Sequence, residues 1–437
     1  MNHFPKEVTR IMDWRNRIGL YGSYFLGMAA VGFTLPYLPL YLGEKGLSDR
    51  AIGIVSTLAA LSALAQFPIG LWSDRIGWRK PFLVVALALA ALSTTLLRDA
   101  HGVIWLGFLV ILFAENGISR AIVESLSGAE AASLAPPGGV GAALGALRFW
   151  KPIGIVLVAL LGSWMSEKYG VGAILMPLAV AQGLAVAAAL LIRETPGHRE
   201  SRDSRRQAAQ WARQEGMSDA SPTSGWLPKD AGLWAFVGAM ILFHAANAPG
   251  GVYLGLFLKR DLHAPDRMLA YAFAVSMIAW MIVVWPGGRL ADRLGRKPLL
   301  VAGWAIMALR LALVAVVRRP EIAVANQALD GLGNGLFAVV AAAWVTDRLA
   351  DPRRSGEAQV IVGSCLVFGS AIGPAAASFL VGPLGYRGLF LALAGLGAVA
   401  TFIVLFFVPE TLNQVDEDPE GRAMEPMAVT SDLFTVP

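Results

Sequence analysis

Ionisable side chains lie inside stretches of this sequence that are otherwise apolar. Asp330 is surrounded by apolar residues, and Arg310 lies in the apolar stretch that precedes it. A nearby cation favours the charged form of a carboxylate, whose pKa rises when the cation moves away. An Asp whose partner changes between two states can therefore bind and release a proton. Asp330 is our first candidate for proton coupling in this half of the chain, with a static Arg310–Asp330 pair as the alternative.

Asp330 also belongs to a stripe of polar residues. Gln327, Asp330 and Asn334 are three and four residues apart, so a helix would place them on one face. The remaining residues of that stretch are mostly apolar. Gln327, Asn334 and Arg310 are therefore candidates to line a substrate cavity.

A second polar pair of this half is His244 and Asn247, which are three residues apart. They precede 249–251, a Pro-Gly-Gly sequence at which a helix can break. Histidine titrates near neutral pH, so His244 is a further proton-coupling candidate. A lone histidine in a helix is more often a packing residue, and that alternative stays open. Asn247 is a candidate for the substrate cavity.

The first half of the chain carries Glu115, Arg120 and Glu124 in one apolar stretch. Asn116, Arg120 and Glu124 recur every four residues and would share one helix face, whereas Glu115 would lie off it. Arg120 and Glu124 fit a structural ion pair with a nearby loop motif. We expect Glu115 to lie deeper, as a candidate for proton coupling, and Asn116 to line the cavity.

The next apolar stretch contains Arg148 and Lys151, which are helical neighbours. They either neutralise the carboxylates of the preceding stretch or attract an anionic or polar substrate, and both roles can hold in alternating states. Tyr24, in the first stretch, is another cavity candidate. Tyr37 and Tyr41 fit better as anchors at a membrane interface.

Twelve apolar runs of membrane-spanning length must position these side chains. Hydrophobic residues make up 56% of the chain and charged residues 15%, against about 25% in soluble domains. Runs of about 18 to 25 apolar residues are long enough to cross a hydrocarbon core of about 30 Å. The sequence therefore predicts an all-α integral membrane protein. The predicted runs are 17–42, 51–73, 81–98, 104–125, 140–164, 171–192, 231–258, 268–288, 298–317, 321–345, 357–382 and 386–408.

Several kinds of chemistry have no motif in this sequence. It contains no G-x-x-x-x-G-K-[ST] phosphate loop, no G-x-S-x-G nucleophile elbow and no cluster of His and Cys at metal-ligand spacing. We therefore expect no ATP-driven pumping, no enzymatic activity, no metal and no cofactor. The net charge of +5 could suit a nucleic-acid partner. The basic residues fall mainly on one side of the predicted membrane, which indicates topology instead.

That charge bias predicts that both termini are cytoplasmic. The predicted organisation is a cytoplasmic N-terminus, two six-helix bundles joined by an Arg-rich cytoplasmic linker, and a disordered tail. The linker could lie on the anionic inner leaflet as a helix, or serve as a solvated tether that carries topogenic charge. The predicted segments, in that order along the chain, are 1–16, 17–192, 193–230, 231–410 and 411–437.

Two charged phrases repeat half a chain apart, GLWSDRIGWRKP from Gly70 to Pro81 and GGRLADRLGRKP from Gly287 to Pro298. They resemble the signature G-x-x-x-D-R-x-G-R-K of the major facilitator superfamily. The second copy matches that signature fully, whereas the first copy has Trp78 inserted before its last two cations. The matching residues of the first copy are Gly70, Asp74, Arg75, Gly77, Arg79 and Lys80. Those of the second copy are Gly288, Asp292, Arg293, Gly295, Arg296 and Lys297.

The resemblance covers about residues 17–410 and implies a fold of twelve transmembrane helices in two bundles related by a pseudo-two-fold axis. It implies that the repeated phrases, with Arg120 and Glu124, act as latches that hold the cytoplasmic side in one state. GSAIGP, from Gly369 to Pro374, is similar to the glycine-proline motif of exporters in the superfamily. Related sugar and aromatic-acid symporters place an arginine near the position of Arg148.

Together these features predict a secondary active transporter in a bacterial inner membrane that moves a small organic solute by alternating access. A proton gradient is the expected energy source, and efflux of an amphipathic compound is the favoured direction. Proton-linked uptake of an organic anion or a sugar-like solute is the alternative. A transport-inactive receptor or scaffold is a third possibility. The expected partners are the small-molecule substrate, protons and the lipid bilayer, and we expect a monomer.

Overall fold

The computed structural model describes residues 14–76, 78–114, 117–134, 140–193, 230–348 and 355–411. Helices account for nearly all of these residues, and no strand occurs among them. The first half of the molecule contains α1 Trp14–Met28, α2 Val31–Thr34, α3 Leu38–Glu44, α4 Asp49–Ser62, α5 Gln66–Ile76, α6 Lys80–Leu97, α7 Val103–Phe113, α8 Ile118–Ser133, α9 Val140–Tyr169 and α10 Leu175–Leu190. The second half contains α11 Ala231–Arg260, α12 Arg267–Leu294, α13 Arg296–Val316, α14 Pro320–Arg348 and α15 Ser355–Phe407.

These helices form twelve spans that correspond to the twelve predicted runs. Ten helices or helix pairs in the described part of the chain are long and apolar enough to cross a membrane, and α1 to α3 form an eleventh span with a bend of 53°. The twelfth arises because α15 contains two helices that meet at Gly385, whose φ of 64° and ψ of 177° interrupt the helix. The predicted all-helical membrane fold is therefore confirmed.

The outer surface of the bundle is apolar, as expected for contact with lipid tails. Ile104, for example, is 90% exposed. Exposed aromatic side chains occur near the ends of the spans, with Trp72 and Trp78 at one end and Trp105 and Trp164 at the other. Trp and Tyr concentrate at membrane–water interfaces, so these residues mark the two boundaries of the hydrocarbon layer.

The predicted run over 104–125 lies within one membrane-length segment, Val103–Ala131, which contains two helices. α7 ends at Phe113 and α8 begins at Ile118, and Gly117 just before α8 has an extended backbone. A side chain at position 117 would collide with the carbonyl oxygen of Ile111, so the tight connection depends on glycine. Glu115 and Asn116 lie outside the described residues, so their predicted places on a helix face stay predictions.

The Pro-Gly-Gly sequence at 249–251, where a helix can break, does not interrupt α11, which continues through Pro249. A proline cannot donate a hydrogen bond to the carbonyl four residues earlier, here that of Ala245. Gly373 of α15 packs directly against this carbonyl oxygen, and no side chain separates the two backbones. Close packing by the neighbouring helix thus covers the group that Pro249 leaves without a helical partner.

The two halves join through α4 packing on α15 and α9 packing on α12. We call the end of the molecule that carries the connections α5–α6 and α12–α13 the motif end, because the repeated phrases lie there. The other end, which carries the connections α3–α4 and α11–α12, is the far end. The hydrogen bonds and ion pairs that join the halves in the described part of the chain cluster at the far end.

Candidate functional site

A cavity of about 330 Å³ lies between the two halves, within the size range of small-molecule sites. The first half supplies a mainly apolar wall, and the second half supplies the charged and amide side chains. The first-half wall includes Thr34, Leu35, Leu38, Ser56, Val110 and Ala114. The second-half wall includes His244, Asn247, Ser276, Arg310, Gln327, Asp330 and Asn334.

An ion pair between Arg310 of α13 and Asp330 of α14 forms the centre of the polar wall. The side chain of Arg310 is only 3% exposed and that of Asp330 is 19% exposed. Ser276 Oγ of α12 donates to Asp330 Oδ2 at 2.5 Å, and Asn334 Nδ2 donates to Asp330 Oδ1 at 3.0 Å. In this conformation the carboxylate is therefore neutralised by one cation and further stabilised by two neutral donors.

Asn247 of α11 closes this cluster into a ring. Arg310 Nη1 donates to Asn247 Oδ1 at 2.9 Å, and Asn247 Nδ2 donates to Asn334 Oδ1 at 3.3 Å. Gly250 lies beside the guanidinium, where an added Cβ would come within 2.7 Å of Arg310 Nη2. The Gly250 position therefore leaves the space that the arginine fills. Asn326 holds the backbone of Arg310 from the next helix, at 3.0 Å.

The predicted polar stripe on α14 faces the cavity. Gln327 lines it, but its amide donates to its own helix, to the carbonyl oxygen of Ala323 at 3.3 Å. His244 also lines the cavity and is only 6% exposed. Its ring stands edge-on to Phe337, with ring centroids 4.8 Å apart. Its Nε2 has no hydrogen-bond partner in the described part of the chain.

The first half holds a separate charge cluster around Glu124 of α8. Arg120 Nη1 donates to Glu124 Oε2 at 2.9 Å, which agrees with the predicted shared face. Lys151 Nζ of α9 donates to both carboxylate oxygens, at 3.0 and 3.1 Å. Neutralisation of a carboxylate is thus the arrangement that Lys151 adopts in this conformation. Arg148 is exposed and is not among the residues that line the cavity.

The tyrosines of the first span lie in the protein interior. Tyr24 is buried in the core of the first half, away from the cavity lining. The predicted interface anchoring of Tyr37 and Tyr41 is wrong, because both side chains are buried. Tyr37 donates to the carbonyl oxygen of Ala159 at 3.2 Å, and Tyr41 donates to that of Leu97 at 2.9 Å. A buried phenol requires a partner, and these carbonyl oxygens provide one.

The second repeated phrase connects three helix ends of its own half. The backbone N–H groups of Arg296 and Lys297 donate to the two carboxylate oxygens of Glu410, at 2.9 and 3.0 Å. Glu410 therefore caps the N-terminus of α13, where a negative charge is favourable. Arg296 Nε donates to Asp347 of α14 at 3.1 Å, and Thr411 contacts the same carboxylate at 3.2 Å.

In the first repeated phrase, the last two cations also contact helix ends of their own half. Arg79 Nη1 donates to the carbonyl oxygen of Ala129 at 3.0 Å, near the end of α8. Lys80 Nζ donates to the carbonyl oxygens of Leu190 and Ile192 at 2.7 and 2.8 Å, at the end of α10. The described part of the chain leaves out Gly77 and the side chains of Asp74, Arg75 and Asp292. Their latch role, and that of Gly288, stays a prediction. Arg293 is exposed.

Comparison with known sequences identifies the family. A sequence model of the MFS_1 like family matches residues 18–392, which is most of the chain. The chain belongs to the MFS_1 like family. It is therefore a transporter of the major facilitator superfamily, as the repeated phrases predicted, and a multi-pass membrane protein.

Two similar proteins are described as drug transporters. The multi-drug resistance efflux pump PmrA of Streptococcus pneumoniae is 26% identical over 393 residues, which cover 87% of this chain and 93% of that protein. The multidrug resistance protein MdtL of Escherichia fergusonii is 29% identical over 155 residues. This second match covers 35% of the chain and spans only 39% of the length of MdtL.

Solved structures of the superfamily share the fold. The nucleoside transporter NupG aligns with a TM-score of 0.70 at 16% identity, covering 89% of this chain and 98% of that one. The xylose transporter XylE of E. coli, in an inward open conformation, aligns with a TM-score of 0.65 at 16% identity, covering 92% and 98%. At these identities the likeness establishes the twelve-helix fold alone.

The glycine-proline motif of this superfamily member packs two helices of the same half. Gly369 of α15 lies against His244 of α11, and Gly373 lies against Ala245 of the same helix. A Cβ at either position would collide with the facing helix. In this chain the motif therefore allows the close approach of α15 to α11, and it holds His244 at the cavity.

The ionic contacts that close the far end were missed by sequence reasoning. Asp49 of α4 accepts from Arg260 of α11 at 2.5 Å and from the hydroxyl of Tyr386 at 2.7 Å. Asp266, just before α12, accepts from Ser166 of α9. We call these contacts the far-end gate. Charges at the ends of spans usually reflect solvent contact or topology, so their pairing across the halves was not predictable from the sequence.

Proposed function

We propose that this transporter couples the movement of a small amphipathic solute to a proton gradient, with Arg310 and Asp330 as the coupling pair. The observation that carries the proposal is the buried Arg310–Asp330 pair in the wall of a cavity between the halves. Ionisable residues within membrane spans are costly and usually functional. A pair used only for structure would have no need to face a solute cavity.

The coupling follows from the hydrogen bonds of Asp330. When the halves rearrange or a solute engages Arg310, Asp330 loses its cation and a proton can replace it. Ser276 and Asn334 keep the carboxyl group in place during this exchange, because both are neutral donors from neighbouring positions. The proton then leaves when Arg310 returns.

We place the motif end in the cytoplasm, as the positive-inside bias indicates. The far-end gate then closes the periplasmic side, and the described conformation faces inward. In the alternating cycle the gate opens while the motif end closes through the repeated phrases. The protein would act in a bacterial inner membrane as a monomer, and its cycle needs no cofactor.

Efflux is the direction favoured by the similarity to the efflux pump PmrA and the multidrug resistance protein MdtL. Uptake is the second candidate, and the Arg310–Asp330 pair supports it, because a cation beside the cavity attracts an anionic solute that would enter with a proton. A transport-inactive receptor is the candidate of another class.

The test is transport by the purified chain in proteoliposomes with an imposed pH gradient and a panel of amphipathic compounds. We expect gradient-driven accumulation of at least one compound. Asp330→Asn should abolish that accumulation while retaining exchange of labelled for unlabelled solute, which needs no net proton movement. Asp99→Asn, at an exposed loop position, serves as the matched control. Full accumulation by Asp330→Asn would refute the coupling assignment, and no movement of any compound would support the receptor reading.

A further inference from the structure

We propose that the transported solute is an organic anion with an apolar body, and that its binding and the protonation of Asp330 favour each other. This inference deepens the proposed function and rests on it. It follows from the charges that line the cavity, from two unpartnered buried nitrogen atoms, and from the competition for Arg310.

The charge of the cavity wall is never negative. Among the described residues that line the cavity, the ionisable ones are His244, Arg310 and Asp330. Arginine keeps its positive charge in proteins, so the wall is neutral when Asp330 is ionised and positive when Asp330 is protonated. Protonation of His244 would only add positive charge. An organic cation beside Asp330 would therefore also lie beside Arg310, which would repel it.

Two buried nitrogen atoms on the cavity wall await a partner. His244 Nε2 and Arg310 Nε have no hydrogen-bond partner in the described part of the chain, and both residues are at least nine-tenths buried. Buried polar atoms are nearly always hydrogen-bonded, so an unpaired pair at a cavity points to a ligand. Arg310 Nε is a donor, and His244 Nε2 is a donor in one tautomer. An anionic oxygen that reaches either nitrogen can accept a hydrogen bond from it.

The remainder of the cavity fits an apolar body. Leu35, Leu38 and Val110 form the first-half wall, opposite the charged ring. Trp280 and Phe273 of α12 add aromatic surface to the second-half wall. A solute with one anionic end and one apolar end can therefore lie across the interface and contact both halves. Such a solute would couple the halves, because neither wall alone satisfies it.

The Arg310–Asp330 pair determines whether proton and solute move in the same direction or in opposite directions. Asp330 and an anionic solute compete for Arg310, so protonation of Asp330 frees the guanidinium for the solute. Proton and solute then bind together and move in the same direction, which corresponds to the uptake candidate of the proposed function. A cationic solute would instead compete with the proton for Asp330 and would move in the opposite direction. The other titratable groups that line the cavity with Asp330 are Arg310 on α13 and His244 on α11; Ser276 on α12 and Ser370 on α15 do not titrate in the relevant range.

Binding to the purified full-length chain tests this inference directly. The panel pairs organic acids with their amides and amines, such as cyclohexanecarboxylate, cyclohexanecarboxamide and cyclohexylmethylamine, and affinity is measured by thermal shift from pH 5.5 to 7.5. We expect the compounds that bind to be acids. Their affinity should rise as the pH falls, by up to about tenfold per pH unit, because one proton binds with each solute molecule.

Two variants separate the proposal from simple charge attraction. Asp330→Asn mimics the protonated carboxyl group, so it should bind the same acid at pH 7.5 as tightly as wild type does at low pH, without pH dependence. Arg310→Gln should lose acid binding by at least tenfold. Asp99→Asn should match wild type at every pH.

The inference is overturned if the panel yields only neutral or amine binders, if no acid binds, or if Asp330→Asn keeps the wild-type pH dependence. The proposed function fails separately, when no compound accumulates under a pH gradient in proteoliposomes. Gradient-driven transport of an amine or a neutral compound would leave the proposed function intact and overturn this inference alone.

Discussion

Opening of the far end should depend on Asp49. Its carboxylate accepts hydrogen bonds from Arg260 and Tyr386, and both donors belong to the other half. Asp49→Asn keeps the shape of the side chain and removes the charge. A hydrogen bond to a charged group contributes about 1.5 to 3 kcal/mol. The side chain of Arg260 is 42% exposed, so solvent screening reduces this contribution.

We therefore expect a loss of about 1 to 2 kcal/mol from the far-end gate, which shifts the population toward the outward-open state about 5- to 30-fold. The assay uses Ser56→Cys, a cavity position, in a Cys365→Ser background. A membrane-impermeant maleimide added outside intact cells can reach this cysteine only when the far end opens. Labelling should accelerate 5- to 30-fold in Asp49→Asn.

The matched control is Asp99→Asn, which removes an exposed carboxylate at the same end of the molecule. Its labelling rate should equal that of the parent. Unchanged labelling in Asp49→Asn would refute the assignment of the gate. An equal increase in both variants would show that surface charge, and not the pairing across the halves, sets the rate.

Three further predictions concern stability and can be read from melting of the purified protein. Gly373→Ala should destabilise the fold by about 1 to 3 kcal/mol because its Cβ collides with α11, whereas Gly363→Ala on the same helix meets open space and should be neutral. Glu410→Gln should lower the melting temperature by removing the charged cap of α13, worth about 1 kcal/mol. The Arg348 hydrogen bond lowers the pKa of Asp230, so this group stabilises the fold above the ordinary Asp pKa of about 3.9 and the stability is lost as the pH falls through the lowered value. Asp230→Asn should remove that part of the acid sensitivity, and an unchanged acid profile would contradict the pairing.

The sequence predicted the features that depend on local composition and on the spacing of nearby residues. Long apolar runs have only one stable form in a bilayer, a helix, so the twelve spans followed from length and composition. The spacing of Gln327, Asp330 and Asn334 predicted a shared face, and the structure places that face on the cavity. The Arg310–Asp330 pair was predictable, because two opposite charges in adjacent apolar runs each need a partner.

Features that depend on distant partners were not predictable. Asp49 and Arg260 are separated by 211 positions and each lies at a helix end, where charge is ordinary. The end of α7 at Phe113 and the start of α8 at Ile118 were not predicted, because the sequence on either side reads as one span. Pro249 suggested a break that does not occur, because the carbonyl it leaves unpaired lies against Gly373, a contact that only the fold creates.

The central claim is that Asp330 exchanges a proton when the solute binds, and proton uptake measures this most directly. A binding acid is added at pH 7.5 to the purified chain in weakly buffered solution with a pH indicator, and the protons taken up are counted. We expect uptake of up to one proton per molecule by wild type and none by Asp330→Asn, although both bind the acid. Equal uptake by the two proteins would contradict it.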